Sequence, residues 1–246
     1  QDFIVPKDSS KTLTVKANLN TVSAGASSGT TITASLVYDT NFEVRGVNSN
    51  TVITSVGSSN VDGRAMTVRK TKATLTENAI NTNIVNGSEN EIYNFTITAD
   101  NKEDVAVKTM KLAATLTDNG TDQVLAANGL KLYRNGSDIT SLVDAMGNLA
   151  EGASTITITF NSEEVIAKGS SNVYSLRATL SGYTVGTEDD SITIKLNGDS
   201  SADLDNVAAG VQNTLAIAKI LVNDNFVWSD MSSTSHNPAS SADWTN

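Results

Sequence analysis

Val5-Pro-Lys-Asp-Ser-Ser-Lys-Thr-Leu-Thr-Val-Lys-Ala-Asn-Leu19 carries a pattern on which the fold assignment turns. It returns later as Ile166-Ala-Lys-Gly-Ser-Ser-Asn-Val-Tyr-Ser-Leu-Arg-Ala-Thr-Leu180. Lys7/Lys168, Ser9/Ser170, Ser10/Ser171, Ala17/Ala178 and Leu19/Leu180 are identical, and Val5/Ile166, Val15/Leu176 and Lys16/Arg177 are close. Within residues 12–19, Leu13, Val15, Ala17 and Leu19 share one face, while Thr12, Thr14, Lys16 and Asn18 share the other. Alternation with a period of two marks a strand with one buried face. A second match follows in the same order, Thr31-Ile-Thr-Ala-Ser-Leu36 against Ser191-Ile-Thr-Ile-Lys-Leu196. Two ordered matches at nearly one offset indicate a modular array, with a period suited to a whole domain rather than a solenoid repeat.

The same alternation recurs along the chain. Residues 92–99 place Tyr93, Phe95, Ile97 and Ala99 on one face. Residues 105–116 read Val105, Val107, then Met110, Leu112, Ala114, Leu116, and the skipped position predicts a bulge. Strands are also expected at 30–38, 66–75, 130–133, 154–160, 173–180, 191–196 and 216–228. The expected core takes Tyr93, Phe95, Ile97, Met110 and Leu112 from these runs and adds Leu132, Ile156, Ile158 and Phe160, with Leu176, Leu180, Ile192 and Ile194 from the later strands. Asn-Gly pairs at Asn86, Asn119, Asn128, Asn135 and Asn197 punctuate these runs. Asn-Gly supplies the positive φ of hairpin turns, and Asn135-Gly136 is the most hairpin-like. Helical signals are sparse, with a turn or two at 141–149 and a short helix or loop at 204–215. Strands without intervening helices predict an all-β fold of antiparallel, immunoglobulin-like β-sandwich modules in tandem.

The boundaries follow from the repeat. Residues 1–71 read as a partial module, the closing strands of a preceding repeat plus a connector. Residues 72–227 read as a complete sandwich, and 228–246 as a polar linker or docking tail. Three strands do not easily make an independent sandwich, and unpaired edges invite pairing. The strands missing from the first module are therefore expected from outside 72–246. Earlier residues of a longer polypeptide or strands of a neighbouring subunit would both supply them.

Composition sets the class. Thr, Ser and Asn account for 85 of 246 residues, charged residues for 18 % and hydrophobic residues for 39 %. Thr favours strands, while Asn and Ser favour turns, which together suit an all-β extracellular protein rather than disorder. The formal net charge of −10 argues against nucleic acid and anionic membrane surfaces as partners. There is no cysteine, so disulfides, zinc-thiolate sites and thiol nucleophiles are excluded. No apolar run has the length of a membrane span.

Candidate sites are few. Asp100, Glu103 and Asp104 share one turn and offer oxygen ligands for Ca²⁺, against the plainer reading of an acidic turn facing water. Glu188, Asp189, Asp190, Asp199, Asp203 and Asp205 form a second acidic region with the same two readings. No metal site is assigned from either, and no catalytic or cofactor residue. His236 is the only histidine; a Ser-His-Asp triad would require it, but its polar neighbourhood beside Pro238 reads as a solvated tail. No G-x-S-x-G, P-loop or G-x-G-x-x-G occurs, and the inventory predicts a protein that is not an enzyme. Sequons stand at Asn86, Asn94, Asn119 and Asn135. Trp228 and Trp244 are expected as packing anchors, with sugar stacking as the alternative.

One resemblance rests on these residues. Val5-Pro-x-x-Ser-Ser-x-Thr-Leu-Thr-Val-Lys-Ala17, Phe95-x-Ile-Thr-Ala99 with Glu103-Asp-Val105, and Leu130-x-Leu-Tyr133 resemble tandem β-sandwich modules of giant cell-surface proteins. These are the S-layer-like proteins of ultra-small uncultured bacteria. Phe226-Val-Trp-Ser-Asp230 and Asp243-Trp-Thr-Asn246 are similar to the segment that follows such modules. The resemblance covers most of residues 3–19 and 90–246, and residues 40–72 have no counterpart in it. It implies a structural role at the cell surface and brings no catalytic residues. The function expected is a non-enzymatic component of an extracellular surface layer or filament, partnered by other copies of itself or adjacent modules, with surface glycans as a further candidate partner. An adhesin or carbohydrate-binding module is the alternative.

Overall fold

Short, alternating, Thr-rich runs separated by turn residues give strands and little else. A computed structural model describes residues 3–37, 43–53, 59–81, 83–120, 125–184, 189–196, 225–234, 236–237, 241 and 243–245. No α-helix occurs among them, the only helical pieces being 3₁₀ turns at Val22–Ala24 and Thr140–Leu142. The expectations for 204–215 and for the first part of 216–228 lie outside the described residues. The chain divides into two compact units, residues 1–68 and 69–246.

The first unit contains β1 (Thr31–Ile32), β2 (Ser35–Leu36), β3 (Val44–Arg45), β4 (Val52–Ile53), β5 (Val61–Asp62) and β6 (Met66–Thr67). They form three separate two-stranded antiparallel ladders, β1 with β6, β2 with β5 and β3 with β4. Gly29 is its only buried residue among those described, so no apolar cluster forms there. Residues 12–19, expected as a strand, belong to no ladder, and their apolar face lies open to solvent.

The second unit begins with β7 (Ala73–Glu77), β8 (Glu89–Ala99), β9 (Val105–Thr117), β10 (Ala126–Arg134), β11 (Ser137–Asp138) and β12 (Leu149–Ala150). It continues with β13 (Gly152–Ile166), β14 (Ser171–Ser181), β15 (Ser191–Leu196), β16 (Phe226–Ser229) and β17 (Trp244–Thr245). The first sheet runs β11-β10-β14-β8-β7, with β12 also on β10. The second runs β13-β9-β16-β17, with β15 also on β9. Every ladder is antiparallel.

β9 is the hub of the second sheet. β13 lines one side of it, and β15 and β16 share the other, β15 opposite residues 112–117 and β16 opposite 106–110. Both flanking ladders shift register around Lys108, where the sequence parity changes. The Lys108 ammonium donates to the carbonyls of Phe160 and Asn161 on the bulged side. A similar shift on β8 turns both Ile92 and Tyr93 inward.

One apolar cluster joins the two sheets. Tyr93, Phe95 and Ile97 from β8 and Leu176 and Leu180 from β14 meet Met110 and Leu112 from β9 and Ile156, Ile158 and Phe160 from β13. Leu132 and Ile194 are buried with them, while Ile192 is half-buried against the same cluster. Phe95 stacks on Tyr174 with ring centroids 5.3 Å apart. This all-β, antiparallel, sandwich-like body is what alternation on each strand produces when both sheets turn their apolar faces inward.

Two of the Asn-Gly pairs take different roles. Asn135 and Gly136 have φ of 49° and 82°, the double positive that a tight hairpin between β10 and β11 requires. Asn128-Gly129 instead sits inside β10, at a register shift against β14, with Gly129 N–H bonded to Asn148. It is a bulge and not a turn.

Candidate functional site

Polar side chains in the second unit are drawn inward wherever a strand end or loop leaves backbone groups to satisfy. The densest such place gathers around β16 and β17. Asp243 is buried at the start of β17, and its Oδ2 accepts hydrogen bonds from Ser229 Oγ at 2.8 Å and His236 Nδ1 at 2.6 Å. His236 stacks on Trp244, ring centroids 5.0 Å apart, and its Nε2 lies 2.9 Å from Glu163 Oε2 without hydrogen-bond alignment. Asp230, also buried, accepts Lys70 N–H at 2.7 Å and Ser232 Oγ at 2.6 Å. Burial lowers the pKa of the Arg69 guanidinium here, and Asp230 and Asp243 oppose that shift.

His236 is therefore not the solvated tail residue its composition suggests, and Trp244 is a packing anchor. The stretch expected as a linker or docking tail holds, among its described residues, a strand end, a second short strand and four buried acidic or hydroxyl side chains, Ser229, Asp230, Ser241 and Asp243. The sequence signal for this was the pair of apolar-flanked Asp residues, Asp230 after Phe226-Val-Trp-Ser and Asp243 before Trp244.

Ser229, His236 and Asp243 thus come together, but not as a nucleophilic triad. Such chemistry places the serine on one imidazole nitrogen and the carboxylate on the other. Here Ser229 Oγ and Asp243 Oδ2 both approach Nδ1, the serine at 3.5 Å, and Ser229 is fully buried with its hydroxyl spent on the carboxylate.

The acidic turn between β8 and β9 is dispersed in the same way. Asp100 Oδ1 accepts Lys102 N–H, Asp104 Oδ1 accepts Lys168 N–H at 2.8 Å, and Glu103 pairs with Lys70. The Lys70 hydrogen bond holds the Glu103 carboxyl below the ordinary range. Each carboxylate serves a different donor, and no group of three His, Cys, Asp or Glu side chains converges as metal ligands among the described residues. In the second acidic region, Asp190 is buried and ties Asn119 N–H and Thr184 N–H through its two oxygens. Glu188, Asp199, Asp203 and Asp205 lie outside the described residues.

All four sequon asparagines are structural staples. Asn86 pairs with the N–H and C=O of Tyr183 as another backbone would. Asn135 accepts from Val173 N–H, Asn119 donates to the Asp189 carbonyl, and Asn94 donates to Glu91 and accepts from Asn78. A shallow recess among the described residues, lined by Ile80, Asn81, Ile84, Glu91, Ile92, Tyr183 and Ile192, has room for a few water molecules, about 70 Å³. No helix among the described residues is long and apolar enough to cross a membrane. The sequence matches no protein-family model and no curated protein.

Proposed function

We propose that the chain is a structural component of an extracellular surface layer or filament. It would be built from immunoglobulin-like β-sandwich modules in tandem and would act without catalysis. The observation that carries this reading is the identity of what is repeated. The sequence that occurs twice runs from the turn after β13 through the central strand β14 of the first sheet, with its inward side chains, and its second match falls on β15, so what recurs is framework. Duplication of a framework strand is what tandem module architecture requires. The use of buried carboxylates and asparagine amides as staples supports the same reading, since these groups stiffen loops.

In this role the modules resist deformation, and their edges and loops meet copies of the chain or adjacent modules. Negative-stain microscopy of native cell surfaces, with labelled antibody to this chain, tests it. A periodic coat or fibre carrying the label is expected, and scattered label on an unpatterned surface would overturn the proposal. Glycan-array binding through a discrete patch would favour the adhesin reading instead.

A further inference from the structure

Strand β14 and residues 10–20 carry one pattern in two opposite environments. Tyr174, Leu176, Ala178 and Leu180 are 0 % exposed, seated between β8 and β10 over the second sheet. Their counterparts are Leu13, Val15, Ala17 and Leu19, of which Leu13 is 70 %, Val15 76 % and Leu19 56 % exposed. An alternating apolar face of this kind costs free energy in water and gains it only against a matching surface. The second repeated segment points the same way. β15 lies along β9, whereas Thr31–Ile32 and Ser35–Leu36 are split between two minimal ladders with no core beneath them.

We infer that residues 12–19 are an interaction strand that seats between two strands of a separate β-sandwich module of this same type, one lacking its own β14 equivalent. The inference deepens the proposed structural role by naming the partner. The partner is defined by its chemistry. It presents two strands of β8 and β10 type about 9.6 Å apart, with a gap one strand wide and an apolar floor. Residues 12–19 run antiparallel to both, as β14 does to β8 and β10. Lys16 takes the place of Arg177, which lies over the Tyr133 ring at 4.4 Å and 3.6 Å from Glu89. The partner therefore carries an acidic residue and an aromatic ring at that level of its outer face. A second intact copy of this chain does not qualify, because its own β14 already fills the gap.

Two experiments test this on the full chain. In the first, residues 10–20 replace 171–181. Cooperative unfolding is expected, with a melting temperature lower by about 10 °C, because Leu13 lacks the Tyr174 hydroxyl. A control graft that also carries Leu13→Asp and Val15→Asp is expected not to fold. If the unmodified graft behaves like this control, the proposal is overturned. In the second, residues 171–181 are replaced by a Gly/Ser linker and Val15→Asp blocks self-insertion, giving a probe with a vacant gap. Mixed with the unaltered chain, it is expected to form a 1:1 complex by light scattering, with slowed amide exchange at residues 12–19. A probe that accepts a synthetic 169–182 peptide but not the unaltered chain overturns the proposal. So does self-association of the unaltered chain with loss of protection in β14, which would make the occupant a second copy. A failed graft leaves the surface-layer test untouched, and an unpatterned cell surface leaves the graft result standing.

Discussion

Tyr174 donates its hydroxyl to Glu164 Oε1 at 2.8 Å, and this bond joins the first sheet to the second across the end of the core. Glu164 lies on β13, just past the bulge opposite Lys108, which turns it inward. Arg134 on β10 reaches both of its oxygens at 2.8 Å, and Asn172 on β14 lies at 3.4 Å. A buried carboxylate is tolerable only when its lone pairs are filled, and here three side chains of the facing sheet fill them.

Glu164→Ala should therefore destabilise the second unit by about 3 kcal/mol, the low end for breaking a buried pair because Arg134 keeps some contact with water. Glu164→Gln retains an acceptor for the Tyr174 hydroxyl and should lose less. Urea unfolding followed by tryptophan fluorescence separates the two. Equal losses for both would show that charge, and not acceptor geometry, holds the sheets.

Alkaline pH should loosen the same place. Burial, followed by the nearby Glu164 charge, pushes the Tyr174 phenol far above its usual range, and burial also raises Tyr93. A phenol that keeps its proton when folded but loses it near pH 10 when unfolded makes stability fall as pH rises above about 10. The slope is about 1.4 kcal/mol per unit for each such group. On the acid side the sign reverses. Glu89, held low chiefly by the Lys131 hydrogen bond, and Glu103, held low by Lys70, contribute above about pH 4 and lose that contribution as pH falls further. Glu89 is exposed and Glu103 only half-buried, so solvent screens both pairs and the acid limb should be shallow. Denaturation midpoints from pH 3 to 11 check both limbs, and Tyr174→Phe should flatten the alkaline one.

Asp243→Ala should cost about 2–3 kcal/mol, because it leaves Ser229 Oγ and His236 Nδ1 without their shared acceptor. Trp244 fluorescence should shift to the red as its ring loses the His236 stack. An unchanged emission maximum would show that Trp244 is held by β16 alone.

Asp104→Ala should lower the melting temperature, since its carboxylate caps Lys168 N–H in the turn between β13 and β14. Asp100→Ala, which loses only a bond within its own turn, should matter less. Excess chelator should leave the unaltered chain's melting curve where it was. A fall on chelation, restored by added calcium, would show that the turn rearranges around an ion.

The core was legible because burial on one face leaves a period-two imprint, strongest in Tyr93, Phe95 and Ile97 and in Ile156 and Ile158. The bulge at Lys108 was legible from the change of parity at that point. Residues 12–19 show where the signal stops: alternation reports an apolar face and not the whereabouts of what covers it. The surroundings of His236 were illegible for another reason. Their order comes from hydrogen bonds between Asp, Ser and backbone N–H groups, which leave no periodic trace and give the composition of a linker. Asn128-Gly129 looked like a turn, because the dipeptide requires only positive φ, and a bulge supplies that equally well.

The bond from Lys70 N–H to Asp230 Oδ2 spans 160 positions of sequence and sets the first residues of the second unit beside its last strands. The second unit thus begins and closes at nearly the same place. Under tension applied at those two points, the Lys70–Asp230 clasp meets the load before β7 or β16 is peeled from its sheet. Its rupture, followed by that of the sheets, would release the strands of the second unit, each residue of a strand adding roughly 3.4 Å of extended chain. A surface layer of the kind proposed, built from such units, would stay short and stiff at low strain and then lengthen in discrete steps.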